Sequence, residues 1–343
     1  MSEAVLTRAR VLKVCAALIG VLLALSLVAL SVGAVEIPLS RVVRALAGSS
    51  TALSAQDELI LFWIRLPRIG LALIVGAALG VAGAAYQALL RNPLADPYVL
   101  GVSSGAALGA ILSLALAARA AIATPAAAFV GATATIAVVY FLGRQAGQLA
   151  PYTLLLAGII TASFLSAVII FLMNFLSGRD LRGAAYWLMG DLTNPSPVGL
   201  GWLSGLTLLA IGVVYWVAGD LNLLLAGEPE AAQLGVHVRR TKLVVYLAAS
   251  LATALAVSVS GAIGYVGLLV PHLVRLLFGG DYRLLIPATA LTGAGVLLAA
   301  DTLARTVIAP GELPVGAVTA AVGAPVFVYL LRRSGLGAGG GSR

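Results

Sequence analysis

Charge is what this sequence has least of. Only 10% of its 343 residues are Asp, Glu, Lys or Arg, against about a quarter in an ordinary soluble domain. With 61% of residues hydrophobic and a mean hydropathy of +1.07, a water-soluble fold is excluded. There is one cysteine, Cys15, so no internal disulfide can form, and it has too few companions for a soft-metal site. No Walker-type glycine loop is present, which excludes ATP hydrolysis by this chain itself. No cluster of carboxylates interrupts the apolar runs, which argues against a proton-driven pump. The net charge of +8 suits basic loops lying against an anionic leaflet, so nucleic acid is not implied as a partner. Aromatics are scarce as well, at 6%.

What the chain has instead is glycine, 39 residues of it, set inside the apolar runs. Such runs suit helices packed backbone to backbone. The runs predict an all-α polytopic membrane protein with about ten transmembrane helices in one domain, 1–335, followed by a flexible tail, 336–343. The first run, Val14–Val35, exceeds a signal-peptide core of ~7–15 residues. The second is opened by Arg65–Arg68 and reaches Leu90. The third holds Gly101, Gly105 and Gly109, four apart on one packing face. Four more follow over Thr124–Gly143, Thr153–Leu176, Val198–Ala218 and Leu243–Ala262. Gly267–Gly279 is apolar but short and broken by Pro271, as pathway-lining segments often are. Leu284–Arg305 and Val315–Leu331 complete the ten. An even number of spans places both termini on one side, and the distribution of basic residues makes that side the cytoplasm. A faint likeness between Val81–Tyr86 and Val259–Tyr265 suggests duplicated helix groups.

One stretch departs from the pattern. In 227–242 (GEPEAAQLGVHVRRTK) the residues Glu228, Glu230, Gln233, His237, Arg239, Arg240 and Lys242 fall together. Each charge at a bilayer centre costs about 2.5–3.5 kcal/mol on insertion scales, so this stretch faces water. Pro229 and the two glutamates at one end, with Arg239 and Arg240 at the other, match the polarity of a short helix. Two uses remain open on these residues alone: a solvated basic loop, or a helix against which a soluble partner pushes.

Several stretches together closely resemble the FecCD-type permeases of ABC importers, which carry ferric siderophores, haem or cobalamin. The residues that carry the likeness are Ile64–Arg68 (IRLPR), Gln87–Ala106 (QALLRNPLADPYVLGVSSGA), Leu154–Gly158, Tyr186–Gly190, Glu230–Gly235, Gly261–Leu276, Leu297–Arg305 and Glu312–Leu331. It covers nearly the whole chain from Ile64 onward, in matching order and spacing. It implies a type II ABC importer permease fold.

The likeness also implies roles. Glu230, Ala231, Ala232, Gln233, Leu234 and Gly235 match the cytoplasmic segment that docks on an ATPase subunit, within the coupling stretch 227–242. A stiff helix transmits rigid-body motion; Glu230 would help cap it, Leu234 fill an apolar socket and Gly235 end it. Arg65, Arg68 and Arg305 match arginines that receive acidic residues of a substrate-binding protein. Pro67 suits a first helical turn there, and residues three apart share a face. For Arg305 the alternative is a pair with Asp301, four residues before it. Asn92, Pro93 and Leu94 match a turn that closes the passage at its inner end, opposed by Pro151 and Tyr152, which depart from the small hydroxyl residues of cobalamin-type members. His272 follows a proline in a motif common to the family whatever the cargo, so packing is expected of it rather than iron ligation.

These features predict a permease working as a homodimer with two ATP-binding cassette subunits and a periplasmic binding protein, in the bacterial inner membrane. The cargo expected is an iron chelate, haem first, with ferric siderophore or cobalamin as alternatives. No cofactor or metal is expected in this chain, ATP and magnesium belonging to the ATPase partner. The rival reading, an ion-coupled secondary transporter, would need titratable or sodium-binding groups at mid-membrane.

Overall fold

The computed structural model describes residues 6–48, 53–116, 123–145, 148–193 and 197–333. The expected tail, 336–343, lies outside the described residues. Helix α1 (Arg8–Ser31) and the short α2 (Leu39–Leu46) precede α3 (Ala55–Leu59), which runs through a wide π-helical turn, Ile60–Arg65, into α4 (Leu66–Leu89). A 3-10 turn, Pro97–Leu100, leads to α5 (Val102–Ala115) and α6 (Ala123–Leu142). A minimal antiparallel hairpin, β1 (Arg144–Gln145) and β2 (Gln148–Leu149), turns the chain into α7 (Pro151–Met173). Then come α8 (Gly178–Leu188), α9 (Pro197–Trp216), α10 (Ala218–Ala226) and α11 (Glu228–Gln233). The last four are α12 (Val238–Ser260), α13 (Val266–Phe278), α14 (Tyr282–Ala304) and α15 (Val315–Arg333).

Seven helical stretches are long and apolar enough to cross a membrane, and α5, α13 and α15 are shorter apolar helices. Together they roughly match the ten apolar segments expected, α13 being short as its sequence suggested. Their centre is formed by α4, α12 and α14, whose residues are mostly buried, while α1, α6, α7 and α9 present broad apolar surfaces outward. Missing side chains bring the central helices together. A β-carbon on Gly76 would overlap the carbonyl oxygen of Gly293, and one on Gly83 would overlap that of Gly267. This is the close backbone approach by which membrane helices gain contact when no hydrophobic driving force separates them from lipid. Gly105 and Gly109 meet α6 in the same way, so these two form a packing face, while Gly101, the third of the predicted set, precedes α5 with φ 75° and faces Gly158 of α7.

Pro67 does not start a helix, as the sequence suggested. It sits inside a continuous 35-residue helical stretch, Ala55–Leu89. Proline removes one rung of the ladder and crowds the carbonyl a turn before it. The wider turn over Ile60–Arg65, in which Leu66 N donates to Leu61 O, lies where that crowding falls. Ser54 starts the stretch by accepting from Asp57 N at 3.1 Å, with Asp57 and Glu58 near the positive end of the helix.

Between α12 and α13 the backbone leaves helix for Gly261–Tyr265, with φ 65° at Gly261 and 69° at Tyr265. Irregular backbone inside a bundle must have its polar groups satisfied by protein. Ile263 N donates to the Tyr98 hydroxyl at 2.9 Å, and Asp191 N donates to Ser260 O at 2.8 Å. Val81–Tyr86 and Val259–Tyr265 thus differ locally in backbone, the first being uninterrupted helix. Two connections between apolar stretches hold structure of their own: α2 lies between α1 and α3, and the β1–β2 hairpin between α6 and α7.

Candidate functional site

The three arginines expected to meet a binding protein are buried, with Arg65, Arg68 and Arg305 only 4%, 7% and 6% exposed. This corrects the expectation of exposed charges. Helix α1 ends inside the protein, and a helix end leaves carbonyls without partners. Here arginines supply them. Arg65 Nη1 donates to Leu30 O at 2.6 Å and to Ser31 O at 3.2 Å, and its Nη2 donates to Val35 O. Arg305 Nη2 donates to Ala29 O at 2.6 Å.

Arg68 turns to α14 instead, with Nε and Nη2 each 2.9 Å from Asp301 Oδ1. Its Nη1 lies 2.8 Å from Glu312 Oε2. Arg305 Nε completes the group 3.6 Å from Asp301 Oδ2, so the pairing held as the alternative for Arg305 is present. Asp301 is fully buried, and a buried carboxylate persists only when paired this way. Arg65 and Arg68 thus serve different partners. Sequence reasoning missed Glu312, 244 positions from Arg68, because no local spacing relates them.

At the opposite end the coupling stretch divides. Helix α11 covers Glu228–Gln233 only, and Arg239, Arg240 and Lys242 already belong to α12. The expectation of one helix with arginines at its far end is corrected: Gly235 stops it first. Gly235 has φ 89°, its N–H reaches Ala232 O at 3.0 Å, and Val236 N reaches Ala231 O at 3.0 Å. That is the paired hydrogen-bond closure glycine favours at a helix end. At the other terminus Gly227, with φ 144°, holds the N-cap position, and the Glu230 carboxylate packs where its β-carbon would be. Ala231 is buried against the bundle, while Ala232, Gln233 and Leu234 face outward, Leu234 at 65% exposure.

The element beneath is firmly anchored. Thr241 Oγ1 donates to Asp220 at 2.8 Å, and Asn222 Nδ2 donates to Asp281 at 2.8 Å, fastening α10 to α12 and to the start of α14. Lys242, which the sequence put in water, is only 5% exposed. Its Nζ donates to Glu228 Oε1 at 3.0 Å.

Asn92, Pro93 and Leu94 form a tight turn after α4. Leu94 N donates to Asn92 Oδ1 at 2.9 Å, and Asn92 N to Gln87 O at 3.1 Å. Pro151 occupies the first position of α7, where its missing N–H is harmless. Tyr152 follows at 78% exposure. Among the described residues no hydrogen bond or ion pair joins 92–94 to 151–152, the two segments expected to oppose each other. His272 is buried in α13 beside Pro271, and no group of three or more His, Cys, Asp and Glu that could hold a metal exists among the described residues.

Comparisons with known proteins agree with this architecture. The FecCD transport family profile matches residues 21–333. A cobalamin import system permease of Halobacterium salinarum is 47% identical over 280 residues, covering 80% of this chain and 74% of its own. A hemin transport system permease of Yersinia pestis is 43% identical over 288 residues, covering 82% and 86%. Among solved structures, a metal-chelate type ABC transporter in an inward-facing conformation superposes with a TM-score of 0.82 at 31% identity, covering 94% of this chain and 99% of that one. With the family profile spanning all ten apolar helices but the start of the first, this chain belongs to the FecCD transport family, the membrane-spanning permease subunits of type II ABC importers.

Proposed function

We propose that this chain is the membrane half of an ATP-driven importer that carries an iron chelate, haem foremost, through the cytoplasmic membrane. Two copies form the passage along their shared axis. Two ATPase subunits bind at the end carrying α11, and a substrate-binding protein docks at the other. Both termini face the cytoplasm in this reading, which an even number of spans and a cytoplasmic α11 support.

The observation that carries this reading is α11 itself. It is a one-and-a-half-turn helix closed at both ends by glycines, with one buried alanine anchoring it and Leu234 standing clear. Leu234 is the apolar tip of a polar, rigid element, and an apolar socket on a partner would take it. At the other end, Arg41 and Arg44 on α2 and Arg179 and Arg182 on α8 are exposed. They are the charges an acidic binding-protein surface would meet, and they would steer its approach more than tighten its hold. Arg65, Arg68 and Arg305 act beneath that surface by fixing the helix ends that carry it.

The haem preference rests on the hemin permease at 43% identity and on Pro151 and Tyr152, which depart from the small hydroxyls of cobalamin-type members. Cobalamin is the second reading, favoured by the cobalamin permease at 47% identity. Uptake of haem, a ferric siderophore and cobalamin, measured side by side in vesicles holding the complete complex, decides between them. The permease reading itself is tested by Leu234→Arg, which should release the ATPase subunits on purification and abolish uptake. Intact association and uptake in that variant would exclude α11 as the docking element.

A further inference from the structure

Two helices at the inner end finish with the same turn, built from different residues. Helix α11 ends on Gly235, as described. Helix α4 ends with Arg91 N donating to Ala88 O at 3.2 Å and Asn92 N donating to Gln87 O at 3.1 Å, and the residue in the left-handed position is Arg91, at φ 48°. Among the described residues only Arg91 and Tyr265 take positive φ without being glycine. Glycine adopts this conformation freely, and an L-residue with a long side chain does so at a cost. The turn itself gains nothing from the arginine, so the reason for it lies in the side chain.

That side chain reaches the coupling element. Arg91 Nη2 lies 3.6 Å from Glu228 Oε1, the oxygen that accepts from Lys242 Nζ. Glu228 is the first residue of α11, Lys242 is buried on α12, and Arg91 directly precedes Asn92, Pro93 and Leu94. One carboxylate therefore joins the docking helix, a central helix of the bundle and the turn at the inner mouth. The Arg91 and Glu228 side chains are 39% and 30% exposed, and a pair so wet adds little to stability. A geometric role accounts for what an energetic one does not.

We infer that the Arg91–Glu228–Lys242 link carries displacement of α11 to the turn at Asn92–Leu94, with Arg91 as a positioning residue for the inner gate. The inference rests on the proposed docking of ATPase subunits at α11 and on the gate role that the family likeness implies for Asn92–Leu94. When a partner moves α11, Glu228 moves with it. Lys242 holds the carboxylate in register on α12, and the guanidinium transfers the motion to a backbone that is one peptide from Asn92.

The test uses the full complex with its ATPase subunits, in a Cys15→Ser, Leu94→Cys background, and follows the rate at which a water-soluble maleimide labels position 94 with and without ATP and vanadate. In the otherwise unaltered chain the nucleotide should change that rate by at least about fivefold, the low end of what coupled sites transmit. Arg91→Gly should keep the ATPase subunits bound and leave Tm equal or higher, since glycine relieves the turn, yet the nucleotide-dependent change should vanish. Arg91→Lys should restore part of it. Arg91→Gln should have no further effect in a Glu228→Gln background. A full nucleotide response in Arg91→Gly overturns the link while leaving the permease reading intact. Failure of the unaltered chain to bind ATPase subunits, or to respond to nucleotide at all, overturns the permease reading and the link with it.

Discussion

Replacing Arg68 by methionine separates the two roles open to the outer arginines. Methionine keeps much of the length and apolar stem and deletes only the guanidinium. In the structure that group holds Asp301, which is fully buried, and Glu312, whose side chain is 40% exposed. Losing the Glu312 contact costs at most about 1 kcal/mol, because that carboxylate falls back to water. Stranding a buried carboxylate costs about 3–5 kcal/mol. Arg305, 3.6 Å away, remains as a second partner, so the lower end applies and the sum is about 3–4 kcal/mol. At roughly 2 °C per kcal/mol for a chain of this size, the thermal midpoint in detergent should fall by about 6–8 °C. Adding Asp301→Leu should recover about half of the loss, since an apolar replacement of a buried pair is close to neutral while Arg305 then lacks its acid. The assay is a thermal-shift curve on purified protein, alongside binding-protein affinity for the assembled complex. A midpoint within about 2 °C of wild type, together with collapsed affinity, would show that Arg68 works outward on a partner and that its internal pairing is dispensable.

Two further outcomes follow from the same packing and burial. Gly83→Ala forces a β-carbon into the Gly267 carbonyl, where only backbone can yield, and should cost about 1–3 kcal/mol or more; Gly201→Ala, which opens into empty space on α9, should be neutral or stabilising by up to about 1 kcal/mol, both read as thermal midpoints. Asp96, which caps the Pro97–Leu100 turn by accepting from Tyr98 N at 2.8 Å, has its carboxyl pushed up to about 6 by burial. The native state then holds this proton more tightly than the unfolded chain, so its contribution is present below about pH 4 and is lost as pH rises through about 6. Asp96→Asn keeps the cap and should flatten that part of the stability–pH profile; an unchanged slope would show that Asp96 ionises as if exposed.

The fold was legible because lipid solvation leaves a strong trace in composition. Ten apolar stretches, a lone polar insert and glycines at fourfold spacing each correspond to something in the structure. Helix ends were less legible. Lys242 reads as a solvated charge beside Arg239 and Arg240, but α12 starts at Val238 and its first turns point that lysine at Glu228. Pro67 reads as a start signal, and only the helix continuing from Ala55 shows otherwise. The arginines illustrate a deeper limit. Their motif and their place at one end of the bundle can be read along the chain, but their burial depends on Ala29, Leu30, Asp301 and Glu312, and no spacing rule relates residues so far apart. A charge among apolar helices suggests a surface until its partner is known.

The two ends of the bundle are consequently built for different mechanical duties. At the outer end three guanidiniums are consumed by α1 carbonyls, by Asp301 and by Glu312, so α1, α4, α14 and the 305–314 connection are bound to one another through buried, directional contacts. Separating any of them would strand a charge or a carbonyl in a place water cannot reach. At the end carrying α11 the helices beneath are tied by Thr241–Asp220 and Asn222–Asp281, but α11 itself is lightly held: one alanine seats it, and the Glu228 carboxylate, 30% exposed, bridges it to the turn after α4. Interactions that cost little to break also cost little to rearrange. A transporter that opens alternately to either side needs both kinds, a closed frame against which a cargo carrier can press and a loosely held lever that yields to a motor. Under the proposed docking of a binding protein at one end and ATPase subunits at the other, the distribution of buried charge, more than the number of helices, fits those duties to the two ends.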